Sequence, residues 1–197
     1  MAMYKYISRF RRDNPEEAGE LKRSRLIKWR REPSISKVKR PTQLDRARRL
    51  GYKSKQGISV YRAKVSRGAR RKHRPTKGRR SKRMGVNRIT ANFSRQTMAE
   101  NRVARKYSNL EILNSYWVGS DGKNIYYEVI TVDPHHPVIR SDPQFSWIAP
   151  NPEKNGKRNH SQHRGRSLRG LTSSARKARG LRSKGKGSER FRGRLRR

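Results

Sequence analysis

The sequence predicts an α+β fold: a small, mostly antiparallel sheet backed by a helix, with an N-terminal helical segment and long basic extensions. Three observations lead there. From Tyr107 to Asp133 the chain reads YSNLEILNSYWVGSDGKNIYYEVITVD, two runs of alternating β-branched and aromatic residues around a Gly-Ser-Asp-Gly turn, the pattern of an antiparallel hairpin. Helix start and stop residues punctuate the first 51 positions and the stretch from Ser94 to Lys106. Charge is also very uneven. The hairpin stretch holds one base, Lys123, against the four acids Glu111, Asp121, Glu128 and Asp133, whereas the whole chain holds 54 Lys and Arg against 14 Asp and Glu.

That balance limits how much of the chain can fold on itself. Of 197 residues only 30% are hydrophobic and the formal charge is +40, against an apolar share of ~45–50% in an ordinary soluble domain. One small core is the most it can bury, and the length suits one domain with extensions. The surplus charge calls for a polyanion: nucleic acid, an anionic membrane or an acidic protein. Cysteine is absent, which removes disulfides and thiolate metal sites and fits a reducing compartment. MAMYKYISRFRR contains no continuous apolar stretch of the signal-peptide kind, and no apolar run approaches the ~18 residues of a membrane span. A soluble intracellular protein with no membrane partner is expected.

Taken in order, the elements fall into three regions: an N-terminal helical basic segment at 1–56, a small α+β core domain at 57–150 with an inserted basic loop at 68–83, and a basic C-terminal extension at 151–197. Met3, Tyr6, Ile7 and Phe10 recur at helical spacing and predict a short amphipathic helix. Asn14 as N-cap, Pro15 at the first helical position and Glu16 and Glu17 against the helix dipole predict a second helix to about Arg31, with Leu21, Ile27 and Trp29 partly buried. A third, short helix is expected with Thr42 as cap, Leu44, Ala47 and Leu50 on one side and Gly51 as its stop. GISVYRAKVSRG, from Gly57 to Gly68, alternates as a strand with Tyr61, Ala63 and Val65 facing a core and Arg62 and Lys64 turned the other way. Ser94 to Lys106 reads as a helix with Ala99 and Val103, continued by Tyr107, on one face.

In the hairpin, alternation puts Leu110, Ile112, Asn114, Tyr116 and Val118 on one face and Glu111, Leu113, Ser115 and Trp117 on the other. Its second strand sets Ile125, Tyr127 and Val129 against Tyr126, Glu128, Ile130 and Val132. Both faces are substantially apolar, so helices are expected over one side and RNA or chain extensions over the other. Beyond it, Asp133 and Pro134 are expected to start a helical turn through Arg140, and Phe145, Trp147 and Ile148 to pack on the core. Asn155 onward reads as a basic tail in which Leu171 to Leu181, with Thr172 as cap, forms a short helix on binding.

The chemistry suggested by this pattern is binding rather than catalysis. No phosphate-cradling glycine loop is present, and no small-molecule substrate or cofactor is expected. Asp133, His135, His136 and Asp142 are the only enzyme-like cluster, but adjacent histidines on opposite sides of a turn seldom converge on a metal, so neither a metal site nor a metal-dependent nuclease is expected. Between Asp45 and Glu100 there is no acid, while 19 Lys and Arg occur from Arg46 to Arg95; from Lys154 to Arg197 there are 17 bases and one acid. A solvated helix face mixes both signs, whereas arginine presents a planar fork that clamps phosphate and stacks on bases. The candidate RNA-binding residues are therefore Arg62, Lys64, Arg67, Arg70, Arg71, Lys72, His73, Arg74, Lys77, Arg79, Arg80, Lys82 and Arg83, and in the tail Arg164, Arg166, Arg169, Arg176, Lys177, Arg179 and Arg182. Gly68 to Arg83 and Lys154 to Arg190 contain no Phe, Tyr or Trp, so phosphate contacts and shape should dominate over base stacking. A DNA-packaging protein is the alternative, although its tails would be rich in lysine and alanine rather than led by arginine. A DNA regulator would need a major-groove reading helix, and neither a helix-turn-helix nor a zinc finger is present.

Three separated motifs add a resemblance. MYKYISRFRR, NSYWVGSDGKNIYYEVITVDPHHPVIRSDPQFSWI and RGLTSSARKARGL together closely resemble the large-subunit ribosomal proteins of the archaeal and eukaryotic 15e family, over nearly the whole chain. The resemblance implies a non-enzymatic cytoplasmic constituent of the large ribosomal subunit. It further implies large-subunit ribosomal RNA and other large-subunit ribosomal proteins as partners, with no homo-oligomer, and a small domain whose extensions thread through RNA. In that family the central domain resembles that of ribosomal protein family twenty-three, a sheet backed by a helix, which the resemblance implies here too.

Overall fold

Both faces of the central hairpin need cover, and helices supply it on each side. The computed structural model describes residues 2–69, 72–76, 78, 84–86, 89, 91–150 and 163–182. Its elements are α1 (Ala2–Asp13), α2 (Pro15–Arg31), β1 (Ile35–Val38), α3 (Leu44–Arg49), β2 (Ile58–Ser66), α4 (Arg95–Lys106), β3 (Glu111–Ser120), β4 (Asn124–Val132), α5 (Pro137–Arg140), a 3-10 turn (Ser146–Ile148) and α6 (Ser173–Ala178). The four strands form one antiparallel sheet in the order β1-β2-β4-β3. This is the α+β architecture the sequence predicts.

One face of the sheet carries α4. Ala99 and Val103, fully buried, pack with Tyr61, Ala63 and Val65 of β2, Ile112 of β3 and Tyr127 and Val129 of β4. Ser94, where the sequence predicts the helix to begin, caps α4, its side chain accepting the Thr97 N–H at 3.2 Å. The opposite face is covered by Leu26 and Trp29 of α2 and Ala47 of α3, over Val60, Tyr116, Val118, Tyr126 and Ile130. Helices of the N-terminal segment therefore take the place expected for RNA or extensions. A third cluster, Val132, Ile139, Phe145 and Ile148, closes the end of the sheet, so Phe145 and Ile148 pack inward as predicted while Trp147 remains exposed. Burying each large aliphatic side chain of these clusters is worth about 1.5–3 kcal/mol.

Several local expectations are corrected. β1 lies in the stretch read as helical, and it is held by pairing Ile35–Val38 with Val60–Ala63. β3 does not alternate throughout: register shifts between Ile112 and Asn114 and between Trp117 and Gly119 are bulges that change which side a residue faces. Ile112 consequently packs with α4, while Tyr116 and Val118 join Leu113 on the other side. In α2 it is Leu26 that is buried, whereas Leu21 and Ile27 are exposed. The Asn14 side chain donates to the Phe10 carbonyl at 3.2 Å, satisfying the end of α1 rather than the start of α2. Thr42 is likewise no cap, because both its N–H and its hydroxyl are given to Glu128. His136, not Asp133, caps the next helix: its Nδ1 accepts the Val138 N–H at 3.2 Å. Gly57, at φ +82°, brings its carbonyl within 2.8 Å of the Asp133 N–H, and a Cβ there would meet Ile139 at 2.6 Å, so no larger residue fits without displacing the end-cluster.

The hairpin turn is held by one carboxylate. Asp121 accepts the N–H groups of Lys123 (2.8 Å) and Asn124 (2.6 Å), the Tyr126 hydroxyl (3.0 Å) and Arg30 Nε (3.2 Å). Burial alone would raise its pKa, but these donors outweigh it and hold the group below its ordinary 3.8. A pKa depressed by folding adds stability that is complete above the unfolded value and lost as pH falls through the folded one. Stability should therefore decline progressively as pH drops from about 4, and Asp121→Asn should flatten that decline in acid denaturation curves; an unaltered curve would assign it to other carboxylates.

Candidate nucleic-acid interface

The described candidate residues fall into groups with different local duties. Arg62 and Lys64, on β2, are engaged within the protein. Arg62 pairs with Glu32 and lies 4.4 Å over the Trp29 ring, and Lys64 Nζ donates to the carbonyls of Glu32 (2.8 Å) and Arg30 (3.2 Å). Burial raises the Glu32 pKa, and the hydrogen bonds from Arg62 and Ser36 reverse this, so the carboxyl titrates below 4.5 and stays charged opposite Arg62.

Arg67 begins a second group. It lies just beyond β2, where its Nη1 donates to the Asp121 carbonyl at 2.9 Å, and it lines a cleft of about 1040 Å³ with Arg95 and Arg102 of α4 and Lys177 of α6. Arg95 Nη2 donates to the Gly68 carbonyl (2.8 Å) and Arg102 Nη1 to the Lys64 carbonyl (2.9 Å), so each guanidinium is aimed by a backbone contact with other N–H groups still available. Phe93, half-exposed, stands on the cleft wall. Arg95 and Arg102 were not among the sequence candidates. Their signal is their spacing of seven residues, two helical turns, which sets both on one side of α4.

Lys72, His73 and Arg74 are exposed and without regular structure. Arg70, Arg71, Lys77, Arg79, Arg80, Lys82 and Arg83 lie outside the described residues. So do 151–162 and 183–197, which include most of the predicted tail.

Within the tail, 163–182 is docked on the body rather than waiting for a partner. Glu100, fully buried in α4, accepts hydroxyls from Ser115 of β3 and Thr172 (2.6 Å), while Thr97 and Ser174 share a contact of 3.3 Å and Ser167 donates to Asn101 at 2.7 Å. The Gly165 N–H adds a bond to Glu111 at 2.8 Å. Thr172 also caps α6, as predicted, by accepting the Ala175 N–H. The helix expected only on binding is thus part of the folded protein, because the buried polar pairs Glu100–Thr172 and Thr97–Ser174, together with Ala175, fasten it to α4.

Docking sorts the tail cations. Arg164, Arg169, Arg176, Lys177 and Arg182 are the more accessible ones; Arg182 donates to Ser173, and the Arg164 carbonyl accepts Arg169 Nε at 2.9 Å. Arg179 is half-buried and donates to the Gly170 carbonyl at 2.9 Å. Arg166 is packed 5.0 Å over the Trp147 ring; burial lowers its pKa, and the nearby carboxylates of Glu111 and Glu100 oppose that. Trp147 in turn meets the His163 ring edge-on at 4.7 Å.

The enzyme-like cluster is also accounted for. Asp133 Oδ1 accepts the His135 N–H at 3.0 Å, His136 caps α5, and Asp142 bonds Lys55 Nζ at 2.6 Å, which holds its carboxyl below the usual range. Among the described residues no three His, Cys, Asp or Glu side chains are grouped to hold a metal ion, and no helix is long and apolar enough to cross a membrane.

The Ribosomal L15 family matches residues 2–197. Among similar proteins, the large ribosomal subunit protein eL15 of Methanocella arvoryzae is 55% identical over 178 residues, covering 89% of this chain and 86% of that protein. The large ribosomal subunit protein eL15 of Methanospirillum hungatei is 53% identical over 196 residues, covering 97% and 93%. With a match spanning nearly the whole chain and relatives at this identity, the protein belongs to the Ribosomal L15 family, the family its three motifs resemble.

Proposed function

We propose that the protein stabilises folded large-subunit ribosomal RNA mainly through phosphate contacts from its arginine-rich segments, with the α+β body fixing where those segments leave it. As a member of the Ribosomal L15 family it is a structural constituent of the large ribosomal subunit rather than an enzyme. It works in the cytoplasmic ribosome, beside ribosomal RNA and other ribosomal proteins. The observation that carries the finer reading is the acid-free run between Asp45 and Glu100, across 19 Lys and Arg. Like charges at that density repel until an anion neutralises them, and RNA helices packed side by side present phosphates that need such neutralisation. Arg67, Arg95, Arg102 and Lys177 line one cleft on the body and add to the cations that the sequence places at 68–83.

The test is the salt dependence of binding to large-subunit rRNA. Replacing Arg70, Arg71, Arg79 and Arg80 with alanine should weaken binding and flatten the plot of log affinity against log salt by ~0.7–0.9 for each phosphate that an arginine no longer neutralises. An unchanged slope would show that these arginines do not touch phosphate.

A further inference from the structure

Helix α1 has three distinct sides. Tyr4 turns toward the body, where Arg48 Nε donates to the Tyr4 hydroxyl at 2.9 Å and its guanidinium lies 5.7 Å from the ring centre, and Ile7 is half-buried. Met3, Tyr6 and Phe10 point away and are 57%, 67% and 58% exposed. At about 100° per residue these three fall within about 60° of one another, so they form one apolar stripe along the helix. Lys5, Arg9 and Arg12 occupy the next part of the circumference and, with Tyr6 and Asp13, line a cleft of about 640 Å³. Asp13, the one acid there, is bonded to Arg9 at 3.3 Å.

We propose that this side of α1 binds unpaired bases of ribosomal RNA, with Tyr6 and Phe10 stacking on bases exposed in a loop or bulge while Lys5, Arg9 and Arg12 hold the flanking phosphates. The inference rests on the rRNA-binding reading above and adds a different mode of contact to it. An exposed apolar stripe marks an interaction surface, and its neighbours decide the occupant. An apolar protein surface would cover the rings but offer no anion to Lys5 and Arg12, since Asp13 answers Arg9 alone. Single-stranded RNA supplies both parts, a flat apolar base and, one sugar away, a phosphate. The arginine segments Gly68 to Arg83 and Lys154 to Arg190 have no Phe, Tyr or Trp, whereas α1 combines such rings with cations within three turns.

The experiment uses the full-length protein and large-subunit rRNA, with affinity measured across a salt series. Tyr6→Ala with Phe10→Ala should lower affinity by about 10- to 100-fold at every salt concentration and leave the slope unaltered, because stacking releases no counterion. Tyr6→Trp with Phe10→Trp should restore binding. Both positions are exposed, so circular dichroism should show the variants folded. Unchanged affinity in the alanine variant, or failure of the tryptophan variant to restore it, overturns the stacking face and leaves the stripe to a protein neighbour. A slope that stays constant in the Arg70, Arg71, Arg79 and Arg80 variant instead overturns the phosphate reading, so the two failures are distinguishable.

Discussion

Replacing Glu128 with alanine is expected to destabilise the protein by about 3 kcal/mol or more. Glu128 is fully buried on β4, at the interface between the sheet and the N-terminal segment. A carboxyl group tolerates such burial only when hydrogen bonds replace its water, and here the Thr42 N–H (3.0 Å), the Thr42 hydroxyl and the Tyr116 hydroxyl all converge on it. Burial, joined by the charge and hydrogen bond of Glu128, pushes the Tyr116 phenol well above its ordinary value, so Tyr116 remains a donor across the ordinary pH range. Alanine would leave three donors without an acceptor, each costing about 1–3 kcal/mol unless water enters. Urea denaturation should show a lower midpoint with little change in slope. Adding Tyr116→Phe to the alanine variant should cost less than the sum of the single changes, because the orphaned hydroxyl is gone. A loss under about 1 kcal/mol would mean that the site rehydrates.

Glu100→Ala should have a comparable thermodynamic effect and a more local consequence. Two hydroxyls, from Ser115 and Thr172, depend on this one carboxylate, which joins β3, α4 and the docked tail segment. A loss of about 2–4 kcal/mol is expected from two orphaned buried donors. The tail should suffer first, because α6 is only six residues long and too short to persist without its packing partners. Limited trypsin digestion should therefore cut slowly at Arg176, Lys177 and Arg179 in the wild type and rapidly in the variant, while the sheet resists in both. Equal protection would show that Ala175 and the Thr97–Ser174 contact suffice to hold the segment. Thr172→Val should give a smaller effect in the same direction, since it removes the α6 cap and one bond to Glu100 but leaves Ser115 in place.

The described candidate cations were identifiable by residue type, but how each is used was not. Arg62 and Lys64 look like their neighbours in sequence, yet they answer Glu32 and two carbonyls brought over by the end of α2. Arg95 and Arg102 gain their place beside Arg67 only because α4 lies across β2. Met3, Tyr6 and Phe10 show the reverse: their helical spacing marks α1 as amphipathic, but only packing reveals that the stripe faces outward.

By itself the sequence determined the elements whose information is local. Alternation in Ile125 to Val132 set the two faces of β4, and Ser94 marked the start of α4. Tertiary structure alone decided β1, the bulges that turn Ile112 away from Tyr116, and the docking of α6 on Glu100. The physical reason is the same in each case: periodicity reports which side a residue turns, but strand register and the satisfaction of a buried carboxylate depend on groups from distant parts of the chain, such as Thr42 for Glu128 and Thr172 for Glu100.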